Sequence, residues 1–342
     1  GSLGNACTDS LYCMSTLLES LEASFEGNES VCRGSEIKVA KGSLMVSVYR
    51  FGSFAIRKIP IAWLPSIARI SAGLVKKFSK QRQFLVSRHL TRVNEGAITE
   101  KELDEQIGRS FENYARYWVD SARIPQLSNF EIDAGFTVEG FEHIEDGWAS
   151  GVGPILALPH LGGWEWAGRW LTCCPKYEVT VVVEPQNPPE LFQFMVEYRQ
   201  AFGMNVIPLG PNAGKQVIKA LKANHVVCLL CDRDIEGQGI EVDFFGEKTT
   251  VPAGPATLAL RTGAHLIPVA VYQRENSHHA VVCPPIATPR TGRLRDDVAT
   301  ITQNLMDVFE DLVKDQPEQW HLMQPNWPSD YTALEVLRSK SA

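Results

Sequence analysis

The stretch "LPHLGGWEWAGRW", residues 158–170, sets a histidine between an apolar run and two glycines, with a glutamate five positions further on. Imidazole is the side chain whose ordinary pKa lies nearest neutrality, so His160 is a candidate general base. Such a base needs a fixed tautomer, and a carboxylate bonded to its other ring nitrogen supplies one. On a continuous α-helix five residues turn through about 500°, leaving the two side chains about 140° apart. The pair meets only if the chain bends at Gly162–Gly163, where glycine tolerates unusual backbone angles, and Glu165 opens a helix. The spacing therefore predicts a His160–Glu165 contact across a glycine turn. The same residues also describe a helix N-terminus with a favourable early glutamate and a water-facing histidine, which would do no chemistry.

Other charged groups stand at comparable places. Asp232-Arg233-Asp234 follows the apolar run "HVVCLLC" directly. Three charges at the end of a buried strand are costly unless they pair, and an ion network or a substrate site would each satisfy that. Arg199 has Glu197 and Gln200 beside it, as a solvated helix charge would. "GPNAGKQ" lacks the spacing and the hydroxyl of a phosphate loop and reads as a loop entering a helix. Cys228 and Cys231 have redox-like spacing but lie in an apolar run. On a strand, residues three apart point to opposite faces, which makes them core. His278 and His279 fall in a polar turn without partner ligands nearby in sequence, so no metal is expected. No G-x-S-x-G elbow marks a nucleophile.

The elements that must hold these residues alternate from about residue 136. "GPILALP", "EVTVVVE", "MNVIPLG" and "HVVCLLC" read as buried strands. "GGWEWAGRWL", "PPELFQFMVEYRQAFG" and "NAGKQVIKALKAN" read as helices between them, the second started by prolines and ended by glycine. "AGPATLALRTG" is a later helix, "AHLIPVAVYQ" and "HAVVCPP" a hairpin, and "RDDVATITQNLMDVFEDLVKDQ" a final amphipathic helix. This alternation predicts an α/β fold with a central mixed, mostly parallel β-sheet flanked by helices on both faces. Upstream the pattern is helical, with Thr99 as a cap for "EKELDEQIGRSFENYARYWVDSAR". The expected organisation is an atypical extension over 1–44, a basic helical region packed on the core over 45–125, an α/β core over 126–330, and a tail over 331–342.

Charge is distributed unevenly. The chain has 33 Lys and Arg against 40 Asp and Glu, yet residues 37–94 hold twelve basic residues and no acid. A block of this kind suggests an anionic partner, membrane surface or nucleic acid. Residues 51–75 are apolar but broken by Arg57, Lys58, Pro60, Pro65 and Arg69, which argues against a spanning helix and for an interfacial one. Eight cysteines in 342 residues suggest no disulfide scaffold.

"LPHLGGWEWAG", "VVVEPQNPPELFQFMVEYRQAFGMNVIPLG", "LLCDRDIEGQGIEVDFFGEKTTVPAGPATLALRTGAHLIPV" and "PEQWHLMQPNWPSD" occur in one order over about 158–330. Together they resemble the glycerolipid acyltransferase superfamily. Within it they are similar to the lipid A biosynthesis acyltransferase-like branch, and most of all to the actinobacterial phosphatidylinositol mannoside acyltransferases. Residues 1–44 lie outside the resemblance, and many relatives carry Asp where this chain has Glu165. The resemblance implies an acyl-CoA-dependent O-acyltransferase, with His160 as base and Glu165 as its orienting acid. Acyl-CoA is then a co-substrate, no other cofactor or metal is implied, and the acceptor is a mannosylated inositol lipid. It implies substrate-contacting roles for Glu184, Arg199, Asp232, Arg233, Asp234, Phe244 and Phe245, and a helix start at Pro252–Pro255. It makes the basic block's partner the anionic inner leaflet, with no nucleic acid, and places the enzyme peripherally on the cytoplasmic face of the plasma membrane. A lipid A-type or other glycolipid acceptor, a non-catalytic lipid-binding role and a thioesterase are the rival readings.

Overall fold

The computed structural model describes residues 63–341 except 187, 188 and 236. The expected extension over 1–44 and the part of the apolar segment up to residue 62 lie outside the described residues.

Seven strands form the main sheet: β1 (Phe136–Glu139), β2 (Ile155–Leu158), β3 (Val179–Val183), β4 (Met204–Pro208), β5 (Val226–Leu230), β8 (Leu266–Gln273) and β9 (His278–Val282). Their order is β1-β9-β8-β2-β5-β3-β4. The five strands from β8 to β4 run parallel; β9 turns back as the expected hairpin partner of β8, and β1 lies parallel to β9. A separate hairpin joins β6 (Ile240–Phe244) to β7 (Glu247–Val251). The mixed, mostly parallel α/β sheet expected from the sequence is therefore present. β1, β6 and β7 go unread in the sequence, because "GFTVEG" and "GIEVDFFGEKTTV" are short and interleaved with charge.

Both faces are covered, which is why β2 and β8 are buried along their whole length instead of alternating. The strand period divides their side chains between two cores. Ile155, Ala157, Leu266 and Ala270 belong to a core with α8 (Ala213–Lys222), α9 (Gly254–Thr262) and α10 (Leu294–Asp315). Leu156, Leu158, Ile267 and Val269 belong to a core with α4 (Asn129–Ala134), α5 (Glu142–Ala149) and α6 (Trp164–Cys173). α7 (Pro189–Gln200) leads into β4.

The N-terminal helices α1 (Leu64–Phe78), α2 (Lys80–Val93) and α3 (Glu100–Arg123) pack around Ala72, Val86, Leu90 and Phe111. α3 opens on the expected Thr99 cap, completed by Glu102 as a capping box. The last helix, α11 (Pro328–Ser341), begins before the expected tail boundary at 331, so residues 331–341 continue a helix anchored at Asp330. That carboxylate is fully buried and accepts from Arg88 and Arg92 at 2.8 Å, His89 at 3.1 Å and the backbone of Asn326 and Trp327. Burial alone would raise its pKa, but these donors hold it well below the ordinary carboxylate range. The ion cluster fastens residues 316–330 to α2.

Candidate active site

β2 and β5 are parallel neighbours with Leu158 opposite Leu230. Two residues beyond that pair, each strand ends on a polar side chain, His160 and Asp232. His160 Nδ1 lies 2.5 Å from Asp232 Oδ1, and the His160 backbone N–H donates to Oδ2 at 2.9 Å. The indole Nε1 of Trp320 donates to the same Oδ2 at 2.8 Å. Asp232 is fully buried, which by itself would raise its pKa. The His160 ring and the bonds from His160 and Trp320 outweigh burial and hold the carboxyl below its ordinary value. An ionised carboxylate only accepts, so Nδ1 carries a proton, and in the neutral ring Nε2 is the nitrogen with the free lone pair. Among the described residues nothing hydrogen-bonds Nε2, and His160 stands in the wall of a cavity of about 620 Å³.

The glycine bend is present. Gly162 has φ +61°, and a Cβ there would sit 1.9 Å from the Val271 carbonyl oxygen. A Cβ on Gly163 would sit 2.2 Å from the His278 ring. α6 starts at Trp164, as expected. The consequence drawn from the bend does not hold, however. Glu165 makes no hydrogen bond to His160; its carboxylate accepts from the Arg199 guanidinium and, at 3.5 Å, from the Tyr117 hydroxyl. The bend turns Glu165 toward α3 and α7, while Asp232 already stands in register beside His160. Burial and the Glu165 charge push the Tyr117 phenol well above its ordinary pKa. Burial works against the Arg199 charge, but Glu165 prevails and raises its pKa.

The three charges after β5 divide into separate roles. Asp232 holds His160. Arg233 donates to Glu184 at 3.2 Å, and both line the cavity. Asp234 also lines it while accepting from the backbone N–H groups of Gly237 and Gly239. Phe244 and Phe245, expected to line the substrate site, do not. Both are buried, packed on Trp320, because the β6–β7 hairpin turns them inward against residues 320–327. Pro252 to Pro255 enter the cavity wall instead, where α9 begins. Arg261 is exposed and outside that wall. His278 and His279 belong to β9, not to a turn, and His278 is buried and stacked on Trp166 at 4.6 Å. Cys228 and Cys231 sit on opposite faces, as strand parity requires.

The sequence reading assigned no role to the segment after α10. His321 donates its backbone N–H to the His160 carbonyl at 2.7 Å. Its ring, buried near Tyr114, Tyr117 and Trp164, has Nε2 3.2 Å from the Gly162 carbonyl. Burial depresses its pKa to about 3, so the ring is neutral. Asn326 Nδ2 donates to the Asp232 carbonyl at 3.3 Å. The run "PEQWHLMQPNWPSD" carried the signal: two tryptophans and a histidine in a loop without periodicity.

Away from His160 the cavity is apolar. Ala167, Gly168 and Leu171 of α6 face Leu156, Val181 and Val269 of the sheet, and Phe141 and Ile144 lie near the N-terminal ends of the strands. α6, along one side of this cleft, has ten residues and is about 15 Å long. Gly168 lets the end of Met204 pack close on α6, where an added Cβ would lie 2.6 Å from it.

A histidine held by a buried acid beside an apolar cleft, at the carboxyl ends of parallel strands, is the kind of place where an α/β fold binds and acts on an apolar ligand. The family model described as bacterial lipid A biosynthesis acyltransferase matches residues 36–329, and the chain belongs to that family. The match reaches back past residue 45, into the stretch set aside as atypical. The protein is an acyltransferase. It is 37% identical over 232 residues, 66% of this chain and 72% of the relative, to a phosphatidylinositol mannoside acyltransferase of Mycobacterium tuberculosis. It is 37% identical over 231 residues, 66% of this chain and 74% of the relative, to one of Mycolicibacterium smegmatis. The 1-acyl-sn-glycerophosphate acyltransferase PlsC of Thermotoga maritima superposes with a TM-score of 0.34 at 15% identity, covering 69% of this chain and 99% of that one.

Proposed function

We propose that this enzyme moves a palmitoyl-like chain from acyl-CoA to a mannose hydroxyl of a phosphatidylinositol mannoside, with His160 as general base and no acyl-enzyme. The observation that carries the reading is the buried Asp232 carboxylate 2.5 Å from His160 Nδ1, in the wall of a cavity that is apolar along most of its length. His160 Nε2 takes the hydroxyl proton as the sugar oxygen attacks the thioester carbonyl. The C–S bond then breaks, and the imidazolium returns that proton to the leaving sulfur as free coenzyme A. Asp232 keeps the ring in the tautomer that exposes Nε2 and stabilises the imidazolium; base catalysis of this kind is worth about 10²–10⁴ in rate. Cys228 lines the cavity, but burial pushes its thiol up to about 12, which makes it a poor nucleophile.

The acyl chain would occupy the cleft between α6 and the sheet, with Glu184, Arg199, Arg233 and Asp234 around the polar end. Acyl-CoA is a co-substrate, and no metal or further cofactor is proposed. The named relatives support the mannosylated acceptor, while the family's own description favours a lipid A-type acceptor as the alternative. Coenzyme A release from palmitoyl-CoA should be stimulated by mannosylated inositol lipid and not by a lipid A precursor. Release that needs no acceptor would identify a thioesterase instead, and full transfer by His160→Ala would end the base mechanism.

The enzyme would work peripherally at the cytoplasmic face of the plasma membrane. Trp63 and Ile70, at and within α1, are 67% and 55% exposed, and the last turn of that helix carries Lys76 and Lys77. Among the described residues no helix is long and apolar enough to cross a membrane. Sedimentation with anionic vesicles should weaken as salt rises; binding indifferent to lipid charge and salt would remove the electrostatic part.

A further inference from the structure

Residues 316–327 cross the strand ends as a strap. Gly162 N–H donates to the Gln319 carbonyl at 2.9 Å, and Trp320 forms a bridge with Leu161. His321 and Asn326 bond the backbones of His160 and Asp232. Within the strap, Trp320 reaches the Asp232 side chain itself. Its indole is 4% exposed and boxed in by Phe244, Phe245, His89 and Trp327, with ring centroids 5.7–6.2 Å away. It is therefore a fixed donor. An indole N–H has no lone pair to offer and no proton to lose in the working pH range, unlike a hydroxyl or an imidazole in the same place.

The two carboxylate oxygens are shared out accordingly. Oδ1 meets His160 Nδ1, and Oδ2 takes the His160 backbone N–H and the Trp320 indole. Of the other titratable groups, Cys231 adjoins Asp232, His321 lies by His160, and His89 from α2 packs on Trp320. Arg82 from α2, Tyr114 and Tyr117 from α3, Glu165 from α6, Glu184 after β3, Arg199 from α7, and Arg233 and Asp234 after β5 share the cavity wall with His160. Glu165 is bound to Arg199 and Arg233 to Glu184, and among the described residues no side chain other than His160 and Trp320 donates to the Asp232 carboxylate.

We propose that Trp320 is a positioning residue for acyl transfer. Its indole N–H holds Asp232 against His160 and weakens the carboxylate's hold on the ring proton, which sets the pH at which His160 becomes a base. The proposal rests on the general-base reading above.

The test is Trp320→Phe, assayed with palmitoyl-CoA and mannosylated inositol lipid. A carboxylate that loses a donor becomes more basic and keeps the imidazole protonated to higher pH. The acid limb of kcat/KM should move up by about half a pH unit or more, and kcat should fall about tenfold, with both KM values within about twofold. In an Asp232→Asn background the same change should cost less than about twofold, because the indole acts through the carboxylate. Should Trp320→Phe fold poorly, 3-benzothienylalanine at position 320 keeps the ring shape without the N–H and should give the same shift. An unmoved acid limb with full additivity in the Asp232→Asn background overturns the proposal. If His160→Ala is inactive while that limb stays put, only the role of Trp320 falls; if His160→Ala is active, the base reading falls first.

Discussion

At the end of β5 Asp232 meets His160, its backbone N–H and the Trp320 indole; at the start of α6, Glu165 meets Arg199 and Tyr117. Both carboxylates are buried; Glu165 lines the cavity itself, and Asp232 stands behind His160, which lines it. They differ in what their charge does. Under the proposed mechanism Asp232 faces a group that changes protonation during transfer, so its charge is used most when the imidazolium forms. Glu165 faces a guanidinium that stays charged throughout, so its field is cancelled locally and its work is to hold Arg199 in the cavity wall. A carboxylate's proximity to a histidine in sequence therefore says less than the titration behaviour of its partner.

The largest expected effect separates the two by activity. Asp232→Asn should lower kcat by about 10³, because an amide can accept from Nδ1–H or donate to Nδ1 and no longer fixes the tautomer. Glu165→Gln should lower it by about tenfold, through a loosened Arg199. Steady-state coenzyme A release checks both. An equal or larger loss for Glu165→Gln would show that the acid at the start of α6, not the strand-end acid, serves the histidine.

His160 itself was legible because an apolar run, a histidine and paired glycines mark a strand end without any tertiary knowledge. The glycine bend was legible for the same reason: Gly162 and Gly163 each face an atom a Cβ would strike. The partner was not. Choosing Asp232 over Glu165 needs the Leu158–Leu230 register, which joins residues 72 apart in the chain. Within "DRD" every charge looks alike until the sheet assigns one to His160, one to Glu184 and one to a turn. Phe244 and Phe245 misled because aromatic pairs line clefts and cores equally well, and only the direction of the β6–β7 hairpin decides. The strap has no period at all, so its tryptophan and histidine remained invisible as site residues.

A second difference concerns stability. Glu165 and Arg199 are an ion pair with little solvent on either side. Removing one partner of a buried pair strands the other charge, so Glu165→Gln should cost about 3–5 kcal/mol. The double change Glu165→Gln with Arg199→Met should recover most of that, since an apolar replacement has no charge to desolvate. Urea midpoints at neutral pH measure both variants. A single variant as stable as the parent would mean that the pair is solvated in solution.

The two regions should behave alike in acid, where the effect is smallest. Each holds a buried neutral histidine: His321 in the strap, against the backbone of His160 and Gly162, and His278 against Gly163 and Trp166 at the start of α6. Burial depresses both pKa values from 6.5 to about 3. Below pH 6.5 the unfolded chain therefore takes up protons that the fold refuses, and stability rises with pH through the window from 3 to 6.5 and levels off above it. Each histidine contributes a slope of about 1 kcal/mol per pH unit within that window. His321→Gln and His278→Gln should each flatten the urea-unfolding free energy between about pH 4.5 and 6 by roughly that amount. Activity should distinguish them again, since the backbone of His321 adjoins His160, whereas His278 faces Gly163 and Trp166 of the α6 side and Asp120 of α3. A slope that neither substitution alters would mean that both rings take up a proton inside the folded protein.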